Sequence, residues 1–152
     1  MKFSTRKDTE LTADQLFQSL VDFDRLERIL ARRGAAVTRL HPAQQPAAGA
    51  GWQVGFDWRG RRRDLRLEVM QLEAPGRMVI SGLSEAFDLI IDLTVMALSK
   101  QRSRVIFEAE ALPRNMRARL MLQTAKLGKS QLDRKFDTGV ARLVNELTAG
   151  RA

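Results

Sequence analysis

The chain has 152 residues, 44% hydrophobic and 29% charged, the balance of one folded domain that removes roughly 70% of its unfolded surface from water; no apolar run nears the roughly 18 residues a bilayer span needs. With no cysteine and His41 as the only histidine, disulfide frameworks, thiolate chemistry and histidine-rich metal sites are excluded, and neither a metal nor another cofactor is expected. A net charge of +8 and a pI near 10.9 favour acidic partners without choosing among nucleic acid, anionic lipid and anionic small molecules.

The opening residues 1–11 carry charges where a signal peptide would need its apolar core, so a cytoplasmic location is expected. Residues 2–10 read as a first strand. Thr12 then stands as a helix N-cap, with Gln15 at the reciprocal capping-box position. Leu16, Phe17, Leu20 and Val21 form one apolar stripe, and Leu26, Ile29 and Leu30 continue it beyond Asp22-Phe23-Asp24, which predicts two short helices in tandem ending near Gly34. Residues 35–40 suit a strand, and 42–51, rich in Ala, Gln, Pro and Gly, read as a loop.

From Trp52 to Leu112 the period becomes two. Trp52, Val54, Phe56 and Trp58 alternate with polar or small residues; after a turn at Gly60, Leu65, Leu67 and Val69 oppose Asp64, Arg66 and Glu68. Ala74-Pro75-Gly76 predicts the next turn, proline presetting φ and glycine accepting positive φ. Residues 78–83, 87–98 and 105–112 supply two further hairpins. An odd loop lines up Leu89, Ile91, Leu93 and Val95 with Val105, Phe107, Ala109 and Ala111 on one face, with Asp88, Asp92, Glu108 and Glu110 on the other face, where Lys2 and Arg6 of the first strand would neutralise them. Beyond Pro113 the pattern is helical to about Ala149, with Met116, Leu120 and Leu127 as an early stripe, Leu132, Phe136, Val140, Leu143 and Leu147 as a later one, and a kink or close packing at Gly128 between them. One economical packing follows: residues 1–152 form a single α+β domain, a curved antiparallel sheet of six or seven strands closed by helices.

The glycine-opened strand Gly51-Trp52 through Phe56, the basic hairpin Trp58-Arg59-Gly60-Arg61, the strand Leu65 to Val69 and the turn Glu73-Ala74-Pro75-Gly76-Arg77 leading to Gly82 resemble the SRPBCC superfamily, in particular its bacterial polyketide cyclase/dehydrase-like branch. The resemblance implies the START-like helix-grip fold, with the sheet wrapped on a long C-terminal helix and a hydrophobic small molecule or lipid held between them. It supplies no catalytic motif.

Several constellations bear on that expectation. Trp52, Phe56, Trp58, Phe87 and Phe107 provide large apolar walls facing small Ala109, Ala111 and Gly128, and Met78, Met96, Met116 and Met121 provide adaptable lining; core packing alone would use the same residues. Phe56, Trp58, Phe107, Met121 and Leu122 are the expected ligand contacts. Asp57, near Arg59, Arg61, Arg62 and Arg63, is either an acid/base group beside an anion-binding rim or one charge of a solvated hairpin. Asp57 and His41 are the candidates for proton transfer should the protein be a cyclase/dehydrase-like enzyme. The final helix carries Arg114, Arg117, Arg119, Lys126, Lys129, Arg134 and Lys135, a surface suited to transient contact with an anionic membrane or, in an adaptor, to docking on acidic protein, anionic membrane or nucleic acid. Nucleic acid is not the expected partner, because no reading helix is recognisable and the tryptophans belong to the apolar alternation of the sheet.

Overall fold

The computed structural model describes residues 1–40, 47–58 and 60–150, Trp58 by its backbone alone. The elements in order are β1 (Lys2–Thr9), α1 (Ala13–Leu20), α2 (Phe23–Arg32), β2 (Ala36–Arg39), β3 (Gly51–Trp58), β4 (Arg61–Glu73), β5 (Arg77–Leu83), β6 (Phe87–Ala97), β7 (Ser103–Pro113), α3 (Met116–Ala125), a 3-10 turn (Lys126–Gly128) and α4 (Lys129–Thr148). All strands pair antiparallel in one seven-stranded sheet of order β1-β7-β6-β5-β4-β3-β2. Consecutive hairpins build β2 to β7, and β1 closes on β7.

Local sequence explains the entries and exits. The Thr12–Gln15 capping box forms in both directions, the backbone N–H of Gln15 donating to Thr12 and that of Thr12 donating to the Gln15 side chain. Asp22 accepts from the Arg25 backbone N–H at 3.2 Å, so the charged interruption between the two apolar stripes is itself the cap of α2. The five-residue loop Leu98–Arg102 sets the register of β6 on β7, pairing Val95 with Val105, Leu93 with Phe107, Ile91 with Ala109 and Leu89 with Ala111. The turn at Ala74-Pro75-Gly76 lies where expected but is made differently: the Ala74–Pro75 peptide is cis, and Gly76 is not among the glycines with positive φ. A bulge between Val69 and Gln71 inserts Met70, so that Val69 and Leu72 both stay on the apolar face.

That face is covered by helices. Val140, Val144 and Leu147 of α4, at spacings of three and four, are buried with Leu16, Phe17, Leu20 and Ile29 of α1 and α2 against Trp52, Val69, Met78, Leu93 and Val105 of the sheet. Phe136 adds ring contacts to Phe3 and Phe107, with centroids 5.4 and 5.9 Å away. The opposite face is charged and paired across strands: Lys2 meets Glu110, Arg77 meets Asp92, Arg104 meets Asp8, and Arg114 of the β7–α3 connection meets Asp88.

The α-helix is interrupted at Gly128, which does not pack closely. The chain passes through a 3-10 turn there, and a Cβ at Gly128 would meet nothing within 4 Å. Gly82 is the glycine the packing requires, because a Cβ would lie 3.0 Å from Leu89 Cβ and 3.3 Å from Leu67 Cδ2 on the two neighbouring strands. Leu89 Cβ is fixed by its own backbone and cannot rotate away. Gly82→Ala is therefore expected to destabilise the fold by about 1–3 kcal/mol, measured by urea denaturation.

Asp137 of α4 ties that helix to β1, accepting from Lys7 Nζ at 2.7 Å and from the Thr5 hydroxyl. The Lys7 and Thr5 hydrogen bonds hold its carboxyl below the usual aspartate value. The carboxylate's contribution is thus complete above the unfolded value of about 3.9 and is lost as pH falls through the lower folded value. Urea denaturation at a series of pH values should show the gap in stability between wild type and Asp137→Asn narrowing below about pH 4.

Candidate functional site

The site begins with the end of α2. Gly34 adopts φ 91°, and the Gly34 and Ala35 N–H groups donate to the carbonyls of Ala31 and Leu30 at 3.0 and 3.1 Å, the paired bonds of a Schellman cap. The cap reverses the chain into β2 and brings Leu30 and Ala35 side by side facing β3 and β4. Between them and the sheet lies a cleft of about 560 Å³, lined by Leu30, Ala35, Val54, Phe56, Leu65 and Leu67, with exposed Arg33, Gly34 and Asp57 at its mouth. Val54 pairs with Leu65 and Trp52 with Leu67 across the β3–β4 ladder, so alternation alone puts these walls on one face.

A polar clamp holds α2 at this distance from the sheet. Glu27 accepts from Trp52 Nε1 and from Arg39 Nε, each at 2.7 Å, and Arg39 also donates to Asp24 at 2.8 Å. The Glu27 hydrogen bond, with that to Asp24, raises the proton affinity of the Arg39 guanidinium further, so that the guanidinium stays charged. Behind it Phe23 stands edge-on to Trp52, with ring centroids 4.9 Å apart. At the mouth Arg33 donates to Glu146 of α4 at 2.7 Å.

Of the expected contacts, Phe56 lines the cleft. Phe107 packs on Phe136 instead, and Met121 and Leu122 lie on α3, outside the cleft lining. The side chain of Trp58 and the whole of His41 lie outside the described residues. Among the described residues the cleft is lined by the end of α2, the α2–β2 connection, β3 and β4 and not by the C-terminal helix, because α4 fills its own part of the sheet with Phe136, Val140, Val144 and Leu147. The methionines are likewise dispersed. Met78 is buried in the core, whereas Met96 and Met116 are exposed, Met96 because it alternates onto the charged face opposite Arg104.

Asp57 extends into solvent, its side chain 81% exposed and 3.9 Å from Arg62 on the neighbouring strand. Arg62 in turn lies over Gly55, where a Cβ would come within 2.3 Å of its terminal nitrogen. Among the described residues no group of three or more His, Cys, Asp or Glu side chains could hold a metal ion. The Glu27 clamp and the Leu30–Ala35 wall were missed from sequence; the available signal was Gly34 itself, since a helix-ending glycine places its flanking apolar residues together.

No family model and no curated protein sequence matches the chain. Solved structures do. TTHA0849 from Thermus thermophilus is similar over the full length of both chains with a TM-score of 0.74 at 10% identity. Norcoclaurine synthase from Thalictrum flavum is similar with a TM-score of 0.71 at 8% identity over 97% of this chain and 84% of that one. The Zhui aromatase/cyclase from Streptomyces sp. R1128 is similar with a TM-score of 0.67 at 14% identity over 97% and 93%. At such identities the likeness carries the fold alone, a helix-grip architecture in which one antiparallel sheet is wrapped on a long C-terminal helix.

Removing the carboxylate of the clamp leaves the Trp52 N–H and the Arg39 Nε–H without their acceptor. Glu27→Ala is expected to cost about 1–3 kcal/mol. In a double-mutant cycle, Trp52→Phe should cost less in the Glu27→Ala background than in wild type, and additive costs would show the pair to be uncoupled.

Proposed function

We propose that the protein binds a hydrophobic small molecule or lipid in the cleft between α2–β2 and β3–β4. The observation that carries this reading is the cleft itself: about 560 Å³, within the range of roughly 300–1,000 Å³ common for small-molecule sites, and walled by Leu30, Val54, Phe56, Leu65 and Leu67. An apolar body buried there gains about 25 cal/mol for each Å² removed from water. The ionisable lining residues, Arg33 and Asp57, stand at the rim, so they meet a polar end that remains near solvent. The arrangement suits an amphipathic ligand entered tail first.

Among the similar solved structures, one with bound small molecules supports a small-molecule site on this fold. One norcoclaurine synthase structure holds dopamine and hydroxybenzaldehyde, and another structure is described as a START superfamily protein from Mycobacterium smegmatis. Among the described residues, proton-transfer chemistry on a bound ligand would use the groups of the rim, because the remaining described lining side chains carry no titratable atom. Binding without turnover is the function the lining supports best.

Native mass spectrometry of the purified protein should reveal a retained apolar molecule, and organic extraction should release it. Anilinonaphthalene sulfonate should bind the folded, extracted protein at one site. Leu65→Trp, which fills the cleft from its β4 wall, should weaken that binding by about tenfold or more, the loss of one well-buried apolar contact. Equal binding by wild type and Leu65→Trp would place the dye elsewhere and remove the cleft as the ligand site.

A further inference from the structure

Between β7 and α4 most side chains are exposed, and no described residue there lines the cleft. From Ala111 to Leu132 the sequence contains no acidic residue, while it contains Arg114, Arg117, Arg119, Lys126 and Lys129. Helix α3 turns only Ala118 fully inward. On its far side Met116 is 67% exposed and Leu120 57% exposed, and in the 3-10 turn that follows Leu127 is 90% exposed. At about 100° per residue Met116 and Leu120 lie within about 40° of each other, with Arg117 on one flank and Arg119 and Lys126 on the other. None of those three cations has a carboxylate within ion-pair distance among the described residues, whereas Arg114 pairs with Asp88 and Lys129 with Asp133. The helix thus turns an apolar stripe outward between two basic edges.

We propose that α3 and the turn after it form a docking surface for an anionic lipid bilayer, lying in the plane of the headgroups with Met116, Leu120 and Leu127 inserted and Arg117, Arg119 and Lys126 on lipid phosphates. This is the pattern of an interfacial helix, whose binding adds buried apolar area to attraction for anionic lipid. A second copy of the chain fits less well. A two-fold contact through this face would set arginine against arginine with no acid in the segment to meet them. Nucleic acid would engage the cations but would leave the three aliphatic side chains in water, with no aromatic ring among them for a base to stack on. The proposal rests on α3 alone and stands or falls independently of the cleft.

Sedimentation of the full chain with vesicles tests it. Wild type should pellet with vesicles of phosphatidylcholine mixed with phosphatidylglycerol, should stay in solution with phosphatidylcholine alone, and should be released as salt is raised. Leu120→Glu with Leu127→Glu should weaken vesicle binding by at least about tenfold, as should replacing Arg117, Arg119 and Lys126 together by glutamine. Both sets of variants alter exposed side chains, so their thermal unfolding and their binding of anilinonaphthalene sulfonate should match wild type. The proposal is overturned if wild type binds both vesicle types alike or neither, or if the variants bind as wild type does. It is equally overturned if light scattering finds a wild-type dimer that the double leucine variant separates into monomers, because the stripe then belongs to a second copy.

Discussion

A sheet with one apolar face must have that face covered, and the way this cover is divided among α1, α2 and α4 decides the rest of the molecule. Seven strands make a surface too wide for one helix, whose diameter with side chains is about 10–12 Å. Helix α4 closes the part nearest β1, where Phe136 reaches Phe3 and Phe107 and where Asp137 binds Lys7. The far part, under β3 and β4, falls to α2. That helix is ten residues long and ends in a glycine cap before it has filled the space in front of Leu65 and Leu67. The cleft is the remainder of an incomplete cover.

Such a remainder persists only if its edges are held. The Glu27–Trp52–Arg39 clamp fixes α2 from below, and the Arg33–Glu146 pair links its last turn to α4. The hydrogen bonds to Glu27 are charge-assisted and partly shielded from water, and so contribute more than the exposed pairs on the opposite face of the sheet, where solvent screening leaves each ion pair worth little. The outer pairs instead blunt what would otherwise be a second sticky surface, alternating Arg and Asp or Glu around Ile90, Leu83 and Leu112, which remain partly exposed there.

Helices α3 and α4 make an instructive pair because they follow each other in one nearly continuous helical run. Spacings of three and four bury Val140, Val144 and Leu147 in α4, while comparable spacing in α3 leaves Met116 and Leu120 facing outward. Periodicity identifies a stripe; it carries no information about which side of the helix meets protein. In α3 the inward face is built of Ala118 with Leu122 and Ala125 half-buried, small enough to let the helix sit close to β7. The same limit explains why Met116 is exposed. The face on which Phe56 lies, by contrast, was legible, because on a strand the period of two leaves only two faces and its neighbours Trp52 and Val54 choose between them.

What the sequence determined by itself is whatever depends on neighbours along the chain or on strict alternation. The capping box at Thr12, the end of α2 at Gly34, the β6–β7 register set by the length of the Leu98–Arg102 loop and the segregation of Asp88, Asp92, Glu108 and Glu110 from the apolar face are all of this kind. Tertiary structure alone decided the insertion of Met70 that keeps β4 in phase, the meeting of Glu27 with Trp52 across 25 positions, and the assignment of the cleft to α2 rather than to the C-terminal helix. Each of these depends on how far apart two surfaces come to rest, and that distance is set by the summed volumes of side chains remote in sequence.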